Sequence, residues 1–273
     1  MPPQSRPQAG PQSTPLALAI SPHLDDGVFS AGGTLARLAT EGWEVVVLTV
    51  FTGSVSDPRG FALACQLDKG LAPEVDYMAL RRAEDARACA ALGARAEWLP
   101  LREAPHRGYR SAPELFAEVR EDDRIDVAVA EALRDAMARW QPAILLAPQA
   151  VGGHVDHVQV VRAIDRIGPA VPVLWWTDWP YAARPHSHPA RPFDNRMGAL
   201  PERVVTVDPA PRLAACTAYA TQLGFQFGGV AGLEQALAGA GVAERFRVQG
   251  AADTAWPGIG SLGTGSLGKS ATR

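Results

Sequence analysis

The sequence predicts an α/β protein, a three-layer sandwich built on a mostly parallel sheet. Three observations carry that expectation. Short, nearly unbroken apolar runs at residues 16–20, 43–51 and 143–147 have the length and composition of strands covered on both faces. Between them lie Ala- and Leu-rich stretches, so strand and helix alternate as in βαβ units. Two of the runs also break into loops dense in His, Asp and Gly, where open α/β sheets carry their ligands. With 273 residues the chain can build one sizeable core and does not require a second.

Taken in order, residues 1–15 are rich in Pro and Gln, lack an apolar signal core and read as a disordered leader. A single domain is expected over 16–250. Its first strand ends at Ser21-Pro22, and a Gly pair, Gly32-Gly33, reads as a tight turn opening a helix to Thr40. The full GxGxxG spacing is absent, which disfavours a dinucleotide site. A second strand follows at 43–51. Residues 55–77 are polar and irregular, with a short helix expected near 61–67, and read as part of a substrate-facing rim. A helix at 78–93, stopped by Gly93, leads to a strand at 96–101 and a loop at 102–109. An amphipathic helix at 124–140 delivers the chain to the strand at 143–147. Another strand is expected at 171–175, a single helix at 211–228, and a flexible Gly/Ser-rich tail at 251–273.

Composition narrows the function classes. The net charge of -3 and the scattered basic residues give no footprint for nucleic acid. Cys65, Cys89 and Cys216 form no CxxC pair, which suggests reduced, buried thiols and a cytoplasmic protein. No apolar run is long enough to span a bilayer.

The chemistry is concentrated in two loops. The first reads His23-Leu24-Asp25-Asp26 and the second His154-Val155-Asp156-His157, each between an apolar strand and a helix. In the first, His23 and Asp26 can turn inward from one bend, leaving Asp25 as a carboxylate that need not be a ligand. Strand-end loops of this kind converge where neighbouring parallel strands end. Two His/Asp clusters at equivalent strand ends are hard to explain by packing and favour a metal site.

At these residues the chain resembles the PIG-L/LmbE-like family of zinc-dependent de-N-acetylases, whose signatures are HxDD and HxDH loops. The resemblance covers roughly residues 16–225 and implies a Rossmann-like domain with a metal held by His23, Asp26 and His157. It further implies that Asp25 is the general base and that His154 stabilises or protonates the tetrahedral centre; Asp156, a carboxylate among these imidazoles, is expected to hydrogen-bond one of them and fix its tautomer. Zinc is the implied metal; the two-His, one-Asp set also suits Fe2+. Arg81, three residues before Glu84, matches a substrate-contacting Arg. Glu103 stands where the family commonly has a sugar-orienting Asp, with His106 and Arg107 beside it. Asp178 and Tyr181 occupy a segment near the pocket mouth, and Tyr219 replaces the His of the family's His-x-Ser-Gln. The chain also departs by Gly27 in place of the final Glu of the first loop, and by Gly152 where some members carry a Tyr.

These readings converge on a metal-dependent hydrolase that removes an N-acetyl or other N-acyl group from an amino sugar or glycoconjugate, a small-molecule substrate. The alternatives are another amide hydrolase of the family, acting on an antibiotic or a thiol conjugate, and a non-catalytic sugar-binding protein.

Overall fold

Strand β1 (Leu16–Ser21) is the middle one of the five parallel strands, and Ala17 to Ile20 are wholly inaccessible to solvent. A strand with no exposed edge or face needs apolar side chains on both sides, which is what LALAI supplies. The computed structural model describes residues 14–183 and 190–250. Apart from residues 14 and 15, the expected leader lies outside the described residues, and so does the expected tail.

Helix α1 (Asp26–Thr40) follows β1, and β2 (Glu44–Thr49) pairs parallel to it. The connection to the third strand carries α2 (Gly60–Leu67) and α3 (Tyr77–Ala91), and β3 (Arg95–Trp98) then extends the sheet in parallel. A 3-10 turn at Ala104–Arg107, the short α4 (Ala112–Leu115) and α5 (Ile125–Trp140) bring the chain back to β4 (Ile144–Pro148), on the other side of β1. Helix α6 (Val155–Ile167) leads to β5 (Val173–Trp176), also parallel, and a 3-10 turn spans Tyr181–Ala183. Next come α7 (Asp194–Ala199), β6 (Glu202–Thr206), α8 (Pro209–Cys216), α9 (Ala220–Phe227), α10 (Val230–Ala240) and β7 (Ala243–Gln249).

The strand order is β3-β2-β1-β4-β5-β7-β6. The first five strands are parallel, and β7 and β6 form an antiparallel edge. The mostly parallel α/β sandwich expected from the sequence is therefore present. Two hydrophobic clusters cover its faces: one includes α1, α3 and α8, the other α5 and α6. The order in which strands are added reverses between β1 and β4, from β1-β2-β3 on one side to β4-β5 on the other, so the crevice outside their carboxyl ends is the topological switch point. Among the described residues no helix is long and apolar enough to cross a membrane.

Three local expectations are corrected. Helix α1 starts at Asp26, inside the first motif, so Gly32 and Gly33 lie within the helix and do not form a turn. Their role is close approach: a Cβ on Gly33 would fall on the Val207 side chain, 3.0 Å from Glu244 Oε1. The amides of Gly33 and Thr34 donate to the buried Glu244 carboxylate at 2.9 and 2.8 Å. The single helix expected at 211–228 is broken into α8 and α9 around Tyr219, whose hydroxyl turns inward to donate to Asp85 Oδ1 at 2.7 Å. Cys65 is only half-buried, whereas Cys89 and Cys216 are buried, and all three are free thiols.

Candidate metal centre

The loop after β1 is shaped by its own polar groups. Ser21 Oγ donates to His23 O at 2.7 Å and accepts from Gly27 N at 2.9 Å, closing the bend. Asp26 Oδ2 folds back to accept from the His23 amide at 2.9 Å. Asp25, at the helix N-cap, has φ 135°, a region that L-residues avoid. Such strain costs on the order of 1–3 kcal/mol and persists where the surroundings over-determine it. Here it turns the Asp25 side chain into the cavity, where Gln226 Nε2 of α9 donates to Oδ2 at 3.3 Å and an Arg81 nitrogen lies 3.7 Å away.

The second loop follows β4. Gly152 has φ 100°, and a Cβ there would sit 3.0 Å from the ring of Tyr181, which packs on bare backbone. His154 caps α6: its Nδ1 accepts from Asp156 N at 3.2 Å. His157 lies one turn further, 1 % exposed.

The two loops meet. Asp26 Oδ2 stands 3.0 Å from His23 Nδ1 and 3.1 Å from His157 Nε2. The opposite nitrogen of each imidazole is anchored on a buried carboxylate: His23 Nε2 on Asp156 Oδ2 at 2.9 Å, and His157 Nδ1 on Asp178 Oδ1 at 2.8 Å. Asp156 is itself clamped by Arg107 at 2.7 Å and by the Ala104 amide at 3.0 Å. Asp178 also accepts from Val151 N at 2.9 Å.

This wiring determines which lone pairs are free. A neutral imidazole carries one N–H. With that proton donated to a carboxylate, His23 Nδ1 and His157 Nε2 each present a lone pair toward Asp26. In that neutral form the buried His157 Nε2 faces only another acceptor, Asp26 Oδ2 at 3.1 Å, and a cation held between the two would satisfy both. His154 is wired the other way. Its Nδ1 is the acceptor, so the proton belongs on Nε2. A nitrogen each from His23, His154 and His157 lie within 4.8 Å of one another, so a three-imidazole donor set is also geometrically available.

The electrostatics match a cation site. Burial disfavours a charged imidazole, but the surrounding carboxylates outweigh it and push His157 up to about 9 and His23 well above its usual range. Burial and the neighbouring imidazoles hold His154 down at about 3, with Asp156 and Asp26 opposing. Asp25 is raised to about 7 by burial and by Asp26, with Arg81 and His23 pulling the other way. Against burial, His157 and His23 hold Asp26 well below the carboxylate range.

A cavity of about 280 Å³ opens over this group. Larger depressions, of about 720 and 730 Å³, lie against α5–α6 and beside α6 and hold none of the motif residues. Of the substrate contacts expected from the sequence, Arg81, Glu103 and Tyr181 line the cavity. Arg81 donates to Glu103 Oε1 at 2.6 Å and to Leu24 O at 2.8 Å. The structure places the others elsewhere. Arg107 is turned to Asp156 and Asp123, and Asp178 holds His157. His106 lies outside the cavity wall, and Tyr219 is fully buried against Phe29 and Asp85. In its stead, α9 presents Gln222, Phe225 and Gln226 to the cavity, one and two turns beyond the position the motif marks. No spacing rule flagged them, because the break before α9 changes which face points inward.

Comparison with known proteins locates this arrangement. The PIG-L family profile, described as GlcNAc-PI de-N-acetylase, matches residues 18–167, just over half the chain. A 2'-N-acetylparomamine deacetylase of Streptomyces fradiae is 40 % identical over 174 residues, covering 61 % of this chain and 58 % of that protein. A 1D-myo-inositol 2-acetamido-2-deoxy-alpha-D-glucopyranoside deacetylase of Rhodococcus erythropolis is 34 % identical, covering 63 % of this chain and 58 % of its own. The chain thus spans less than two thirds of the length of these relatives. The crystal structure of the zinc-inhibited form of teicoplanin deacetylase superposes with TM-score 0.70 at 27 % identity, over 87 % of this chain and 99 % of that one.

Proposed function

The chain belongs to the PIG-L family, and from that membership we propose that it is a metal-dependent hydrolase removing the N-acetyl group of an amino sugar or its conjugate. The observation that carries the reading is the meeting of the two loops on Asp26 Oδ2, with both facing imidazoles anchored from behind by carboxylates. His23, Asp26 and His157 would hold the metal, with zinc favoured for an N/O donor set and Fe2+ the alternative. His154 is left out of the donor set because its wiring puts a proton on the nitrogen that would have to coordinate.

When bound there, a divalent metal supplies Lewis-acid polarisation of the acetamide carbonyl and acidifies the attacking water. Asp25 accepts the proton of that water and passes it to the departing amine nitrogen. His154 Nε2–H donates to the carbonyl oxygen as negative charge develops, a contribution commonly worth about 2.7–4 kcal/mol. Arg81 and Glu103 lock each other at the cavity wall, where they present fixed donors and acceptors to the sugar hydroxyls.

Metal content measured on protein purified without chelator tests the reading, together with acetate release from a panel of N-acetylated amino sugars. One metal per chain, lost in His157→Ala, with acetate release only by the loaded protein, is the expected result. A protein that binds no zinc even when it is added would overturn it.

A further inference from the structure

The connection from β3 to α5 serves two places at once. Glu103, Pro105, Ala112, Leu115 and Phe116 form part of the wall of the cavity over the candidate metal centre. Two other residues of the same connection, Ala104 and Arg107, reach behind that centre to Asp156, the carboxylate that holds His23 Nε2. The wall itself is lightly built. The hydrophobic cluster beneath it consists of Ala104, Tyr109 and Val155, with Leu115 and Val119 packed against them, and Phe116 is 39 % exposed. A segment with so little buried apolar surface draws its order from polar ties.

Arg107 is the centre of those ties. Its guanidinium spans two carboxylates, the wholly buried Asp156 at 2.7 Å and Asp123 at 2.9 Å, and donates to Arg102 O at 2.7 Å. It lies 5.0 Å from the centre of the Phe51 ring and 5.9 Å from that of Tyr109. The Asp123 carboxylate also accepts from the Tyr109 hydroxyl at 3.0 Å and from the Ile125 amide at 3.3 Å. The Asp123 carbonyl accepts from Gln159 Nε2 of α6 at 2.8 Å. One side chain thus joins the start of the connection, its end, and the carboxylate behind His23. A planar guanidinium, always charged and able to bridge two carboxylates, suits that place as an ammonium group would not.

Building on the metal-site reading, we propose that Arg107 is a positioning residue that couples the metal centre to the cavity wall. It does not line the cavity. On one side it fixes Asp156, and through Asp156 the His23 ring. On the other it ties down residues 102–123. A metal held by His23 then steadies the wall, and a loosened wall weakens the metal in return, because coupling between two sites is reciprocal.

Two measurements test this without any substrate: zinc affinity by competition with a chromophoric chelator, and trypsin cleavage after the exposed Arg110 and Arg120 with and without zinc. Zinc is expected to slow both cleavages in the parent. Arg107→Gln should bind zinc about tenfold more weakly, the low end for a group behind a ligating imidazole. It should also be cut at the same rate with and without zinc. Arg107→Lys should recover part of the affinity, because it restores the charge beside Asp156. Tyr109→Phe removes only the hydroxyl on Asp123, and it should show a smaller loss of zinc protection even where Arg107→Gln fails to fold. A parent that binds no zinc would overturn both the metal-site reading and the coupling. The coupling alone would fall if the parent bound zinc yet was cut equally with and without it. It would fall too if Arg107→Gln melted lower but kept the parental zinc affinity, which would leave Arg107 a purely structural residue.

Discussion

Asp25 concentrates the tension between stability and chemistry in a single residue. Its φ of 135°, its near-complete burial and its place beside Asp26 all disfavour it, yet each aims a carboxylate of near-neutral pKa into the cavity. Two substitutions separate the costs. Asp25→Asn is expected to bind metal as the parent does while losing about 10²–10⁴ in turnover, the usual share of a positioned base. Acetate release and metal content on one preparation measure both. Asp25→Gly should lose turnover as fully and melt a few degrees higher, because glycine accepts this φ and a strain of about 1–3 kcal/mol is released. A lower melting temperature would mean that the side chain's contacts with Arg81 and Gln226 outweigh the strain. Asp178 makes the complementary case: it should touch no substrate and act only through His157 Nδ1. Asp178→Asn is expected to weaken zinc binding about 10–100-fold, read by competition with a chromophoric chelator, as removing a carboxylate that holds a ligating imidazole generally does. At this scale the sequence was legible where chemistry is local: His23, Asp26 and His157 are named by two short motifs, and they meet in space. Their anchors are less so. Arg107, read as a substrate contact, faces Asp156 instead, because nothing in a loop sequence says on which side of a strand end a guanidinium will fall.

The elements that set these residues in place are held by contacts of similar reach. Helix α1 must bring Asp26 to the switch point, and its position is fixed at mid-length by the Glu244 carboxylate on the amides of Gly33 and Thr34. Arg212 of α8 approaches Glu244 at 3.7 Å and also donates to Phe29 O. Gly33 permits this approach only because it has no side chain. Gly33→Ala is expected to destabilise the fold by about 1–3 kcal/mol through overpacking against Val207, in spite of alanine's better helix propensity. A thermal melt decides the sign, and an unchanged or higher melting temperature would show that α1 and β6–β7 can separate at no cost. The same contact explains why β7 was not read from the sequence. Its inward positions are Glu244, Phe246 and Val248, and a charged residue in the first of them disguises the alternation of a half-buried strand. The break between α8 and α9 is hidden for a related reason. Tyr219 fits the apolar face of one continuous amphipathic helix, and only its distant partner Asp85 reveals that the chain turns there.

Across the whole molecule, the candidate metal centre ties together segments that share no local sequence: the ends of β1, β4 and β5, and the loop after β3 that supplies Ala104 and Arg107. The alternation of strand and helix was enough to foresee the sheet and the convergence of two loops at its carboxyl edge. The antiparallel edge of β6 and β7 lay beyond it, because that edge depends on which surface the last strands find to cover. A site drawn from four separated segments has a thermodynamic consequence. In the unfolded chain the proposed donors His23, Asp26 and His157 are far apart, so a metal that bridges them binds the folded state alone. Its binding free energy then adds to stability as RT ln(1 + [L]/Kd), about 4 kcal/mol at a thousandfold excess over Kd. For a domain of this size each kcal/mol moves the melting temperature by about 2–4 °C. Removing the metal with EDTA should therefore lower the melting temperature by on the order of 10 °C. Zinc in excess should restore it, and the His157→Ala protein should respond to neither. If chelator and zinc left the melting temperature of the parent unchanged, the three side chains would have to be held together by protein contacts alone. The carboxylates behind His23 and His157 would then be a feature of packing, and the metal-centred reaction would lose its physical basis.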